Sequence, residues 1–119
     1  MSPSPLFDPK DFLRLARGLA QQNGAREAEL RTAVSRAYYG VFLQAREMLA
    51  SSGEITPTGT GRDHELVIEA LRNRGGPHGD ELDKLRRNRN RVDYNLMARV
   101  TRREARQALM TAEFVCNRL

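Results

Sequence analysis

The stretch Leu30-Arg31-Thr32-Ala33-Val34-Ser35-Arg36-Ala37-Tyr38-Tyr39-Gly40-Val41-Phe42 decides the fold class. Its apolar residues Leu30, Ala33, Val34, Ala37, Tyr38 and Val41 step by three and four, and Ala45 and Met48 extend the stripe. That spacing fits an amphipathic α-helix; a half-buried strand would alternate with period two. The pattern predicts a helix from about Ala25 to Ala50, ended by Gly53, the longest in the chain and the spine of its core.

Upstream, Asp8 is a good N-cap, Pro9 suits the first helical position and Asp11 places negative charge in the first turn. Phe12, Leu13, Leu15, Ala16, Leu19 and Ala20 follow at helical spacing before Gly24. Downstream, residues 51–62 are turn chemistry throughout, a loop long enough to be functional or mobile in so small a chain. Asp63 then caps a short helix carrying Leu66, Val67, Ala70 and Leu71, and Gly75-Gly76-Pro77-His78-Gly79 breaks it, with His78 expected to face solvent. A fourth helix is expected from about Asp80 to Arg99. Thr101 and Glu104 have the spacing of a capping box for a fifth, which shows Ala105, Ala108, Leu109, Ala112, Cys116 and Leu119 on one face. No segment alternates as a strand does, so the expectation is an all-α protein of five helices.

The 119 residues fit one domain with one hydrophobic core, residues 1–119, with a tail over 1–7 and the loop at 51–62. At 39% hydrophobic the chain is too apolar for disorder and too polar for a membrane protein. No run approaches the roughly 18 apolar residues a spanning helix needs. Met1-Ser2-Pro3-Ser4-Pro5 shows neither a basic start nor an apolar run, so no signal peptide is expected and the cytoplasm is the expected location. The single cysteine, Cys116, rules out an internal disulfide and a thiolate metal cluster, and it reads as a small buried hydrophobe. No His-x-x-x-His, acidic triad or phosphate-binding glycine loop is present, so neither a metal nor a cofactor is expected.

Of the twenty basic residues only Lys10 and Lys84 are lysine, and the net charge is +5. Arginine's planar fork of donors matches phosphate, so this bias favours a nucleic-acid or nucleotide partner. Between Leu71 and Arg106 eleven basic residues face five acidic ones, a surplus larger than that of the whole chain. The positive field is therefore concentrated in the second half. Within it, Leu82, Leu85, Val92 and Leu96 form a narrow apolar stripe on the fourth helix, and its centre is Arg89. A guanidinium there needs acceptors. Asp93 lies one turn on, and Tyr38, Ser35 and the loop after the second helix are further candidates. Arg89 is then either a neutralised brace between helices or the lining of a groove that meets a phosphate or ribose. Tyr39 shares a flank of the second helix with Ser35, Phe42 and Arg46, a subunit interface or a nucleotide lining.

Two motifs, Ser35-Arg36-Ala37-Tyr38-Tyr39 and Arg89-Asn90-Arg91-Val92-Asp93-Tyr94, together resemble the HEPN superfamily of small helical domains. More narrowly, they are similar to a prokaryotic subfamily marked by Ser-Arg-Ala-Tyr-Tyr and Arg-x-x-Ala-Asp-Tyr, in which His64 also stands at a usual histidine position. The resemblance covers roughly residues 10–118. It implies an up-and-down bundle of four main helices with a short extra one, and a homodimer formed through the long second and fourth helices. It also implies one of two activities: a metal-independent ribonuclease, or a toxin held in check by a small nucleotidyltransferase. The ribonuclease motif is arginine, a polar residue, a short spacer and histidine. Arg89-Asn90 matches its start, but Tyr94 stands where the histidine belongs. Tyrosine, ionising near pH 10, is a poor general base at neutral pH.

The reading from sequence is a HEPN-type protein that binds RNA or a nucleotide through Arg86, Arg89, Asn90 and Arg91, with Asp93, Tyr94, Tyr39 and Ser35 around them. It would be partnered by a nucleotidyltransferase to which Tyr94 could serve as acceptor. The alternatives are an active ribonuclease using Arg89 with Tyr94 or His64, and a purely structural dimer braced by Arg89 and Asp93.

Overall fold

The computed structural model describes residues 6–119; residues 1–5, most of the expected tail and the stretch read for a leader, lie outside the described residues. Five helices are present among the described residues: α1 (Lys10–Gln21), α2 (Glu27–Ser51), α3 (Arg62–Asn73), α4 (His78–Tyr94) and α5 (Arg102–Cys116). No strand occurs among the described residues, and the protein is an all-α helical bundle, as the periodicity predicts. At 25 residues α2 is about 37 Å long and runs most of the 45 Å length of the molecule. It packs against every other helix, while α1, α5, α4 and α3 follow one another around it, each touching the next. No helix is long and apolar enough to cross a membrane.

The predicted stripe is the centre of the core. Val34, Ala37, Tyr38, Val41 and Ala45 on α2 are fully buried, with Leu49 in place of the expected Met48, which is half-buried; they pack against Ala16 and Ala20 of α1, Leu71 of α3, Leu82 of α4, and Ala112 and Val115 of α5. So many alanines let helix axes approach closely, and at two points the approach needs glycine. A Cβ on Gly40 would lie 2.9 Å from Leu13 Cγ, and one on Gly79 would lie 2.8 Å from the backbone nitrogen of Arg72.

Several local expectations are corrected. The fourth helix ends at Tyr94, not near Arg99, and Asn95 leaves the helical region at ψ 98°. Leu96, placed on the apolar stripe by its spacing, is therefore 86% exposed. His78 is not a solvent-facing loop residue: it opens α4 at 8% exposure, its ring lying over Gly76, where a Cβ would come within 3.3 Å of Nδ1. Asp63 does not cap α3. Its carboxylate turns back to accept from Thr58 N (2.7 Å), Thr58 Oγ1 (2.6 Å) and Gly59 N (3.0 Å), and so ties down the loop at 51–62. Those bonds, from Thr58 above all, hold its pKa below the usual carboxylate value. Thr101 does accept the Glu104 N–H (3.2 Å), but the Glu104 carboxylate reaches Arg91 instead of completing the box.

The two glycine contacts differ in what can yield. Gly40 faces a leucine side chain, and mid-helix an alanine recovers up to about 1 kcal/mol of propensity. Gly79 faces backbone and sits in a first turn, where less is recovered. Gly79→Ala should cost about 1–3 kcal/mol and lower the melting temperature by several degrees, clearly more than Gly40→Ala. Equal melting temperatures for the two variants would show that the α3–α4 approach is looser than this packing requires.

Candidate functional site

The motif residues of α2 and α4 meet along one seam, and His64 from the first turn of α3 closes it. Arg89 is 6% exposed. Its guanidinium carbon lies 5.2 Å from the centre of the Tyr38 ring and 5.1 Å from that of Tyr39. Its one charge partner is Asp93, at 3.8 Å, too long for a hydrogen bond. Asp93 is in turn held by the Ser35 hydroxyl (3.1 Å), which also accepts from Arg36 (3.3 Å). Arg89 Nε is buried without a hydrogen-bond partner, and so is Nε of Arg86, one turn earlier. Cation–π contact contributes roughly 0.5–2 kcal/mol, against several for desolvating a guanidinium. The pair is therefore under-satisfied within the chain.

Tyr38 serves both sides of the seam. Its ring faces Arg89, while its hydroxyl lies 2.5 Å from His64 Nδ1. Burial pushes the Tyr38 pKa upward, so the phenol stays protonated, and with no other hydrogen-bond partner among the described residues it donates to the imidazole. His64 lies against Phe42, ring centres 4.3 Å apart and nearly parallel. Burial, then the charges of Arg86 and Arg89, push its pKa down to about 4, against a smaller opposing effect of Asp63. At neutral pH His64 is thus a neutral ring whose Nδ1 accepts and whose Nε2 carries the proton. Tyr39 lies between two guanidiniums, Arg36 at 4.8 Å and Arg89 at 5.1 Å.

Most of the residues singled out from sequence converge here: Arg86, Arg89, Asp93, Ser35, Tyr39 and His64. Asn90 and Tyr94 are exposed on the adjoining edge of α4. Arg91 is elsewhere. It faces α5, bonded to Glu104, to Asn88 Oδ1 (3.0 Å) and to the Arg99 carbonyl (3.4 Å), and ties two helices together. On the Tyr39 flank of α2, Ser35 and Phe42 are buried while Tyr39 and Arg46 stay half-buried. Sequence reading did not single out Phe42 as the partner of His64, nor Arg36 beside Tyr39; the stacking depends on where α3 docks, which no local spacing signals.

A groove of about 420 Å³ between α4 and α5 lies away from this seam. Lys84, Asn88, Arg91 and Gln107 line it, and its charges are already paired. A crevice of about 100 Å³ beside Arg86 is bordered by Glu65, Glu69, Arg72 and Asp83. Among the described residues no group of three or more His, Cys, Asp or Glu is placed to hold a metal ion. Cys116 is partly buried on α5, its pKa pushed up to about 11 by burial, so the thiol is unreactive at neutral pH.

The depressed His64 pKa links folding to pH. Between about 4 and the ordinary histidine value near 6.5 the unfolded chain binds a proton that the folded chain refuses. Stability should fall as pH drops through that window, by roughly 1–2 kcal/mol, since partial access to water softens the shift. Urea melts at pH 7.0 and 5.0 should show this loss in the wild type and a much smaller one in His64→Phe, which keeps the stack on Phe42. Identical slopes would place the pH dependence elsewhere.

No family model, curated protein or solved structure matches the chain, so the functional reading rests on the chemistry of this seam.

Proposed function

We propose that this chain is a HEPN-type domain that binds RNA or a nucleotide through Arg86, Arg89 and Asn90 of α4, by contact with phosphate. One observation carries the reading: Arg89 is a buried guanidinium with no hydrogen bond of its own among the described residues, beside a second arginine with a buried, unpaired Nε. A phosphate supplies the acceptors that Asp93, at 3.8 Å, does not. Asn90, exposed next to them, adds an amide able to read a base edge. The homodimer and the nucleotidyltransferase partner of a toxin–antitoxin-like pair are part of this proposal through the family resemblance alone.

Binding is favoured over cleavage. Attack by a ribose 2′-hydroxyl needs a base and an acid near neutral pH. In His64 the nitrogen lone pair is engaged by Tyr38, and imidazolium forms only near pH 4. His64 then acts as a neutral N–H donor at the edge of the site.

A brace and a ligand site respond oppositely to Arg89→Met. Methionine keeps much of the volume and removes the buried charge, and Asp93 stays bonded to Ser35. A ligand site should hold or raise its melting temperature while salt-sensitive retardation of labelled RNA is lost. A melting temperature lower by several degrees with retardation unchanged would make Arg89 a brace and end the proposal. Cleavage of the RNA in EDTA, lost in the same variant, would convert the reading to a ribonuclease.

A further inference from the structure

The turn that follows α4 combines a fixed backbone with exposed apolar side chains. The Arg31 guanidinium donates to the carbonyls of Val92 (2.7 Å), Asn95 (3.1 Å) and Ala98. Glu27, paired with Arg31, accepts the Val100 N–H (3.1 Å), and Asn95 Oδ1 accepts that of Met97 (3.0 Å). The last carbonyls of a helix ordinarily face water; here one arginine binds one of them, on Val92, together with two carbonyls of the following turn, and so clamps the turn to α2. From this clamped backbone Tyr94, Leu96 and Met97 stand out at 74%, 86% and 94% exposure. Their exposure is built in and does not come from fraying, which marks a contact surface.

The surrounding charge indicates the occupant. Arg99 and Arg103 are exposed and form no ion pair among the described residues, while Glu27 and Glu104 are taken by Arg31 and Arg91. The free charge on this end is positive. A second copy docking through the same patch would set Arg99 and Arg103 against their own counterparts. On α4 itself Arg86, Asn90 and Tyr94 recur at four-residue steps, so they line one edge about 6 Å apart. Read along that edge they present a phosphate donor, a base-edge donor and acceptor, and an open aromatic ring.

We propose that Tyr94 is a stacking platform for an unpaired base of a single-stranded nucleic acid. The backbone of that strand runs from Arg86 past Asn90 toward Arg99 and Arg103. The inference rests on the nucleic-acid reading given above and extends it: the ligand is a polynucleotide strand and not a lone nucleotide, and the site reaches beyond the arginine seam to the clamped turn. Stacking needs a ring held still with an open face, because a mobile tyrosine would lose entropy on binding. Arg31 and Glu27 are the positioning residues, since they fix the backbone on either side of Tyr94. Leu96 and Met97 add exposed apolar surface on the same turn, and the arginines would neutralise the phosphates.

The chain has three tyrosines and no tryptophan, so tyrosine emission is readable. Of the three, Tyr38 is buried and Tyr39 is packed between two arginines, which leaves Tyr94 as the accessible reporter. Short oligouridylate, oligodeoxythymidylate of the same length and an RNA duplex would be titrated at low salt, following tyrosine emission and the anisotropy of labelled strands. Both single strands should bind more tightly than the duplex and quench the emission, and their ratio would show whether RNA or DNA is preferred. Tyr94→Leu should abolish the quench and weaken binding roughly five- to one-hundred-fold, with Tyr94→Phe close to wild type in affinity and the melting temperature of both unchanged. Equal binding by wild type and Tyr94→Leu, with Arg86→Ala weakened, would overturn the stacking site and leave the arginine site standing. Tighter binding of the duplex would also overturn it. No binding of any strand by the wild type would overturn the stacking site and the RNA half of the binding reading.

Discussion

A guanidinium held among aromatic rings, with one carboxylate too far away to hydrogen-bond, is the constraint around which this bundle is arranged. Arg89 occupies the position where α4 meets α2, and any apolar residue there would let the seam close as ordinary core. The arginine instead prevents closure. Tyr38 and Tyr39 must turn ring faces toward it, the Tyr38 hydroxyl is sent to His64, and Ser35 must hold Asp93 at the rim. The helix register of α2 places these groups together: positions 35, 38, 39 and 42 fall on adjoining strips of a single surface.

Much of the fold was legible because it follows from periodicity. The stripe from Leu30 to Met48 specified a long central helix, and that helix touches all the others. Gly24, Gly53 and Gly75 marked turns, and all three take positive φ. The misreadings share a cause. Leu96 continues a perfect helical spacing, yet the helix stops short of it because Arg31, more than sixty residues away in sequence, binds the carbonyls of Val92 and Asn95. His78 stands in a glycine-rich run that reads as solvent-facing, yet α4 begins on it and buries it. Asp63 has the chemistry of a helix cap but finds better donors in the preceding loop. For Leu96 a distant side chain, and for Asp63 donors four and five residues back, overrode the rule read from spacing.

The site was legible in outline for a different reason. A charged residue at the centre of an apolar stripe contradicts the pattern around it, and such contradictions concentrate at functional positions. That argument found Arg89 and proposed Asp93 as its partner. It could not separate Arg91 from the cluster, since neighbouring arginines on a helix point to different faces only once the direction of the bundle is known. Nor could it place His64 next to Tyr38, which depends on how α3 docks.

The same packing that brings His64 to the site removes it as a proton carrier. A histidine near two arginines, stacked on Phe42 and bonded by a buried phenol, is kept neutral by every neighbour except Asp63. Converting it to a base would require freeing Nδ1, and that would leave the Tyr38 hydroxyl buried without an acceptor, a loss of about 1–3 kcal/mol. The aromatic seam therefore fixes the arginines in place and keeps the His64 ring neutral at pH 7. That is the arrangement on which the proposed binding of a phosphate group draws.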